Sequence, residues 1–231
     1  MNILVTGATK GIGKAIAEEL KSIGVVHAAG RDLVELKKYE YYCQCDLFSE
    51  PEVLIGYIKD NGIDILVNNA GEYIYGGIDS MSDNQIEQIY NIDLIAPVKL
   101  IKSAVPYMKN KKWGRIINIG SISGVMGEAN ASLYSSAKSG LIGLTKALAL
   151  ELAEYNITVN TINPGWVDTT LGKDSIEESE FSKEEILGCI PQKRFVEPKE
   201  VAALVKYLVS EEAKGITGQS INLCAGLSVG I

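Results

Sequence analysis

Short apolar runs alternate with longer segments of helical periodicity from one end of this 231-residue chain to the other. Asn2 to Thr6 is too short a run for a helix and reads as a strand. Ile12, Ala15, Ile16, Leu20 and Ile23 recur at helical spacing, so a helix is predicted over Ile12 to Ile23, stopped by Gly24. Val25 to Ala29 and Tyr41 to Cys45 are a second and a third strand; Asp32 to Lys38 between them allows only a short helix or turn. A helix over Pro51 to Asp60, opened by proline and stopped at Asn61-Gly62, leads into a fourth strand at Ile63 to Val67. Ser82 is placed to cap a long helical segment reaching Lys109, which Pro97 and Pro106 are expected to bend or divide. Gly114 to Gly120 holds a fifth strand, Ser132 to Tyr155 the longest helix and Ile157 to Ile162 a sixth strand. Residues 172–197 are polar and acidic and lack strong periodicity; Pro198 to Ser210 then reads as helix and Gln219 to Leu223 as a last strand.

Strand–helix alternation without repeats or linkers predicts one domain over residues 1–231, an α/β, doubly wound parallel sheet (a Rossmann fold) of about seven strands with helices on both faces. Such sheets bind ligands beyond the carboxyl ends of their strands, where the strand order reverses. The residues that end the first, fourth, fifth and sixth strands are therefore the first place to look for chemistry.

Composition narrows the partners. A net charge of −7 disfavours nucleic acid and anionic membranes. Apolar runs are all shorter than a membrane span, and the N-terminus lacks the pattern of a signal peptide. Cys43, Cys45, Cys189 and Cys224 make no CxxC pair, and His27 is the single histidine, so no metal site is expected. Cys43 and Cys45 alternate in a strand and are expected to pack as small apolar residues. A cytoplasmic, reduced protein is the reading that follows.

Candidate chemistry concentrates between Ser121 and Lys138. Tyr134 and Lys138 are four residues apart on a predicted helix and so project from one face, a turn apart. An ammonium beside a phenol favours the phenolate and pulls its pKa from about 10 toward neutral, which suits a general acid or base. Ser121 directly follows the fifth strand, which can carry its hydroxyl to the same place. The first strand ends in Thr6-Gly7-Ala8-Thr9-Lys10-Gly11-Ile12-Gly13 at the start of a helix. There Gly7 permits a tight turn, Gly11 close approach of a pyrophosphate and Gly13 close helix–sheet packing, with free helix N–H groups facing the anion. The spacing is GxxxGxG rather than GxGxxG.

These motifs, in this order and over essentially the whole chain, resemble the short-chain dehydrogenase/reductase family. The family's TGxxxGxG is Thr6 to Gly13, its NNAG is Asn68 to Gly71, and its PG motif is Pro164-Gly165, followed by Val167 and Thr169. Its Asn–Ser–Tyr–Lys tetrad falls on Asn91, Ser121, Tyr134 and Lys138. Asn91 would sit inside a helix, where asparagine is unfavourable, so a local distortion is expected there. The resemblance implies hydride transfer between a nicotinamide and a carbonyl or secondary alcohol, with Tyr134 as proton donor, Ser121 holding the oxygen, Lys138 on the ribose and Asn91 in a proton relay. It assigns cofactor binding to Gly7, Thr9, Lys10, Gly11, Ile12, Gly13, Arg31, Asp46, Leu47, Asn69, Ala70, Gly71, Tyr134, Lys138, Pro164, Gly165, Val167 and Thr169. Arg31 after the second strand and Lys10 in the facing loop are placed to pair a 2′-phosphate, which favours NADP(H). Asp32 is the alternative: with the turn shifted by one residue it becomes a ribose acceptor and NAD(H) is used.

From Tyr134 onward, phrases such as IPQKRFVEPKEVA and ITGQSINL look most like 3-oxoacyl-(acyl-carrier-protein) reductases, and sugar and other secondary-alcohol dehydrogenases share them. The substrate expected is a small or thioester-linked carbonyl. Carrier proteins are acidic, and the evident basic patch here is Arg115 with Lys109, Lys111 and Lys112, against Glu177, Glu178, Glu180, Glu184 and Glu185 in the segment 172–197. That segment is the expected substrate lid. A catalytically silent dinucleotide-binding regulator is the reading from another class; it is disfavoured because the whole tetrad is retained. The helix from Ser132 is apolar on more than one face, which predicts a homodimer or homotetramer.

Overall fold

The computed structural model describes residues 1–178 and 181–229. The sheet is parallel throughout, with seven strands in the order β3-β2-β1-β4-β5-β6-β7. In chain order the strands are β1 (Asn2–Thr6), β2 (Val25–Gly30), β3 (Tyr41–Gln44), β4 (Ile65–Asn68), β5 (Gly114–Ile119), β6 (Ile157–Pro164) and β7 (Ser220–Leu223). The helices are α1 (Gly11–Leu20), α2 (Leu33–Leu36), α3 (Pro51–Asn61), α4 (Asp83–Tyr90), α5 (Ala96–Lys111), α6 (Ser123–Met126), α7 (Ser132–Leu152), α8 (Thr170–Glu178), α9 (Lys183–Cys189) and α10 (Pro198–Leu208). Strand order reverses between β1 and β4, which opens the crevice predicted from the alternation.

Period-two patterning sends alternate strand residues to two cores. On one face Ile3, Val5, Ile117 and Ile162 meet Ile16 and Leu20 of α1 and Val201 and Val205 of α10. On the other, Leu4, Leu66, Ile116 and Val159 meet Leu54 and Ile58 of α3, Leu100 and Ala104 of α5 and Leu152 of α7. Each fully buried large side chain contributes roughly 1.5–3 kcal/mol. Cys43 and Cys45 sit in the second core as free, buried thiols. Among the described residues no helix is long and apolar enough to cross a membrane.

Local chemistry explains most boundaries. Pro51 opens α3 and Gly62, at φ 56°, closes it. Ser82 and Gln85 form a capping box on α4, and Ser182 and Glu185 do so on α9. Three expectations need correction. The long segment from Ser82 is divided, and the break is a π-helical turn at Asn91–Ile95, just ahead of Pro97. Pro97 lies in the first turn of α5, where its missing N–H is not needed, and Pro106 stays inside that helix without ending it. The stretch 172–197, read as aperiodic, contains α8 and α9; residues 179 and 180 of it lie outside the described residues. Arg115 is not a surface cation. Its side chain is wholly buried, pairs with Glu211 at 3.2 Å and lies over the Trp113 ring.

Candidate active site

The glycine turn between β1 and α1 is built by exclusion of side-chain volume. Gly7 and Gly11 have φ of 66° and 52°, in the left-handed region. A Cβ on Gly13 would lie 2.2 Å from the Gly7 carbonyl oxygen and 2.4 Å from Asn69 Nδ2, so α1 reaches the sheet only without one. The loop after β4 is braced against this turn. The Thr6 hydroxyl accepts from the amides of Asn69 and Ala70, both at 2.9 Å, and Asn69 Nδ2 donates to the Thr6 carbonyl at 2.8 Å. The first and fourth strand ends thus form one rigid rim.

Beneath the neighbouring strand ends runs a ladder of buried polar groups. Asn68 Nδ2 donates to Asn118 Oδ1 at 2.9 Å, Asn118 Nδ2 to Thr145 Oγ1 at 2.9 Å, and Thr145 and Thr161 share a hydrogen bond of 2.7 Å. It ties β4, β5, α7 and β6 together under Ser121 and Lys138.

Ser121 stands just past β5, with its oxygen accepting from the Ser123 amide at 3.1 Å and its hydroxyl 3.2 Å from Ser123 Oγ. Tyr134 and Lys138 come off α7 together, the Lys138 ammonium 5.5 Å from the phenol ring centroid. The Tyr73 ring meets Tyr134 edge-on at 5.2 Å. Lys138 Nζ donates to the Ile119 carbonyl at 3.2 Å and forms a buried ion pair with Asp93 Oδ1 at 2.8 Å. Asp93 Oδ2 accepts from the Glu72 amide at 3.1 Å.

The electrostatics correct the expectation for Tyr134. Burial raises its pKa above the usual phenol value; Lys138 and Ser121 work downward, while Asp93 and Glu128 add to the rise. Lys138 is opposed by its own burial, but the charges of Asp93 and Tyr134 outweigh that and hold its pKa above the usual lysine value. The ammonium therefore faces two groups at once, and only part of its field is left for the phenol.

One cavity of about 790 Å³ collects the predicted residues. Every cofactor candidate lines it: Gly7, Thr9, Lys10, Gly11, Ile12, Gly13, Arg31, Asp46, Leu47, Asn69, Ala70, Gly71, Pro164, Gly165, Val167 and Thr169, with Ser121, Tyr134 and Lys138 at its centre. Asn91 is the exception. The π turn expected in kind does occur, but the Asn91 amide folds back onto the Glu87 carbonyl at 2.8 Å, and its own carbonyl accepts from the Ala96 amide. The residue of that turn that reaches Lys138 is Asp93, which the sequence reading passed over. An acid in the middle of the apolar run Ile92-Asp93-Leu94-Ile95 was the available signal.

The cavity is polarised. Where the glycine turn meets the end of β2 stand the exposed cations Lys10 and Arg31, the latter 3.7 Å from Asp46. Asp32 Oδ1 accepts from the amides of Val34 and Glu35 at 2.9 and 3.2 Å, so it serves as the cap of α2. At the other end the lining includes Glu72, Glu128 and Glu185. Glu128 accepts from the hydroxyls of Ser123 at 2.6 Å and Tyr73 at 2.8 Å. Trp166 also lines the cavity, as do Ser175, Phe181, Ile186 and Cys189 of the 172–197 segment.

Comparison with known proteins agrees with this geometry. A family described as Enoyl-(Acyl carrier protein) reductase matches residues 7–228. The chain is 37% identical to a granaticin polyketide synthase putative ketoacyl reductase of Streptomyces violaceoruber, over 97% of this chain and 92% of that one. It is 35% identical to the 3-oxoacyl-[acyl-carrier-protein] reductase FabG of Vibrio cholerae, over 97% and 96% of the two chains. Among solved structures it superposes on a variant of actinorhodin polyketide ketoreductase with NADPH, with a TM-score of 0.92, 34% identity and coverage of 99% and 97%.

Proposed function

The chain belongs to the short-chain dehydrogenase/reductase family, and from that premise we propose that it is an NADP(H)-dependent carbonyl reductase whose proton donor is Tyr134. One observation carries the reading: Ser121, Tyr134 and Lys138 converge in the same cavity as the glycine cradle and the Lys10–Arg31 cation pair. The residues fit the cofactor. The volume a Cβ would fill at Gly13 is closed by the Gly7 carbonyl, the N-terminus of α1 lines the cavity where a pyrophosphate would sit, and two cations stand ready for a 2′-phosphate, while Asp32 is engaged as a helix cap. When bound, NADPH supplies the hydride.

The protein's own residues manage the oxygen. Ser121 hydrogen-bonds the carbonyl oxygen and stabilises charge as it develops. Tyr134 gives that oxygen its hydroxyl proton and is reprotonated from solvent. Lys138, fixed between the Ile119 carbonyl and Asp93, keeps a positive charge beside the phenol. Asn91 shapes the π turn that delivers Asp93, and its role is in positioning rather than in direct contact with the substrate. The test is Tyr134→Phe, which is expected to bind NADPH as the parent does while losing all but a few per cent of turnover. Substantial residual reduction of a ketone would remove Tyr134 from the reaction.

The relatives named above make a 3-oxoacyl thioester the first substrate to try. A free hydroxylated ketone, such as a keto-sugar derivative, is the second. One observation favours it: Glu72, Glu128 and Glu185 line the cavity, so an acidic carrier protein would meet like charge there, whereas Arg115 and Lys111 lie by the amino end of β5, at the far end of the strands. NADPH oxidation against 3-oxoacyl thioesters, cyclic ketones and keto-sugars separates the two. α8 and α9 are read as the lid over this end. A homodimer or homotetramer is supported by the apolar groove between Val98, Val105 and Pro106 of α5 and Leu144 and Leu148 of α7, and by Leu150, 85% exposed on that helix; a monomer at micromolar concentration by light scattering would overturn it. Cytoplasmic residence completes the reading, in keeping with NADP(H) use and free thiols.

A further inference from the structure

We propose that Asp93 is a positioning residue for proton transfer: its buried carboxylate clamps Lys138 and cancels part of the ammonium's field at Tyr134, so that the phenol keeps its proton and the site is biased toward reduction. This rests on the assignment of Tyr134 as proton donor.

The geometry comes first. Asp93 Oδ1 lies 2.8 Å from Lys138 Nζ, with the two side chains 0% and 4% exposed. The clamp has three sides: the Ile119 carbonyl takes a second Lys138 proton, and the Glu72 amide holds the other carboxylate oxygen. Gly71 leaves the room for it, since a Cβ there would stand 2.6 Å from Asp93 Oδ1 and 3.1 Å from Lys138 Nζ. The π turn is what aims Asp93 inward; it is wholly buried, whereas Asn91 beside it is not. A one-residue bulge in an otherwise regular helix costs stability, and bulges of this kind collect at functional sites.

The charge count follows. Burial pushes the Asp93 carboxyl up, while Lys138 and the Glu72 amide pull it down. Because carboxylic acid and ammonium start about six pKa units apart and Lys138 is itself held above the usual lysine value, the proton of the pair stays on the lysine. With Asp93 ionised, the Lys138–Asp93 unit is neutral, and a Tyr134 phenolate would add a net negative charge in a buried place. Without the Asp93 charge, phenolate and ammonium would balance each other. Around the pair, Glu128 from the loop after α6 acts on Tyr134 in the same sense, and Tyr73 has its own pKa raised by burial and by Glu128, whereas Glu72 from the loop after β4 pushes the Asp93 carboxyl up. Lys138 is the cation that acts on Tyr134. A neutral phenol is an acid ready to donate to an alkoxide; alcohol oxidation needs the phenolate instead.

The experiment reads Tyr134 directly. Ultraviolet difference spectra between the parent protein and Tyr134→Phe report tyrosinate at this position without any turnover. The expected result is no tyrosinate difference below about pH 9; a phenolate signal at neutral pH in the parent would overturn the proposal. In Asp93→Asn, paired with its own Tyr134→Phe double variant, the ionisation is expected to move down by about one pH unit or more. The pH profile of alcohol oxidation should move the same way, and Asp93→Glu should restore the parent profile in part. Titrations of Asp93→Asn and parent that coincide, or a shift upward, would sink the idea. NADPH titration by fluorescence confirms that each variant is folded. Because the spectra need no substrate, a failure to find carbonyl reduction would count against the proposed function and leave this inference to be judged on its own.

Discussion

The two ends of the cavity are made by different means. The end proposed for the cofactor is backbone: glycines at positive φ, strand ends tied by Thr6 and Asn69, and a helix N-terminus pressed onto the sheet. The end proposed for the substrate is side chain: Tyr73, Glu128, Trp166, Phe181 and Ile186, carried on loops and short helices. A backbone site tolerates almost no added volume, because its walls cannot rotate out of the way. A side-chain site can be re-lined without moving the scaffold, which is how one fold serves many substrates.

That contrast can be broken experimentally at either end. The largest effect is expected at Gly13→Val, where the new Cβ meets the Gly7 carbonyl at 2.2 Å; NADPH affinity by fluorescence titration should fall on the order of a hundredfold or more, as the overpacked backbone has nowhere to go. Near-normal binding would show that the cradle yields. Next, Arg31→Glu should reduce kcat/KM with NADPH by roughly 10–100-fold relative to NADH, the scale of losing a charge-assisted hydrogen bond. An unchanged preference would move 2′-phosphate recognition to Lys10. The smallest effect is expected at the other end: Phe181→Ala should alter KM for a bulky ketone by about tenfold or less while leaving NADPH affinity alone. A change in cofactor affinity there would mean the two ends are mechanically joined.

The same contrast explains what could be read in advance. The sheet, its strand order class and the glycine cradle follow from period, punctuation and motif, because local residue types dictate them. Ser121, Tyr134 and Lys138 were legible for the same reason, each sitting at an element's end or on one helix face. Asp93 was not, since its inward direction depends on a π turn that shifts helical phase by one residue, and period counting assumes a fixed phase. Arg115 failed differently: an arginine beside lysines looks like surface, and its burial is made tolerable by the Trp113 ring, the Gly114 and Asn156 carbonyls and Glu211, the last two brought in from far along the chain. The helices α8 and α9 were hidden by acidic composition, and the capping box at Ser182 and Glu185 was the overlooked clue.

The Asn68–Asn118–Thr145–Thr161 ladder has a consequence for how Ser121, Tyr134 and Lys138 stay aligned. Apolar contacts are tolerant of sliding, so a hydrophobic core alone would let β5 and α7 settle in several nearby registers of similar energy. A chain of amides and hydroxyls can be satisfied in one alignment, and a slip would strand buried donors at about 1–3 kcal/mol each. The ladder therefore works as a vernier: it adds little net energy over an apolar filling, yet it holds the strand that ends in Ser121 and the helix that carries Tyr134 and Lys138 to a single setting. The geometry of these three groups is calibrated from below, by residues that take no part in lining the cavity.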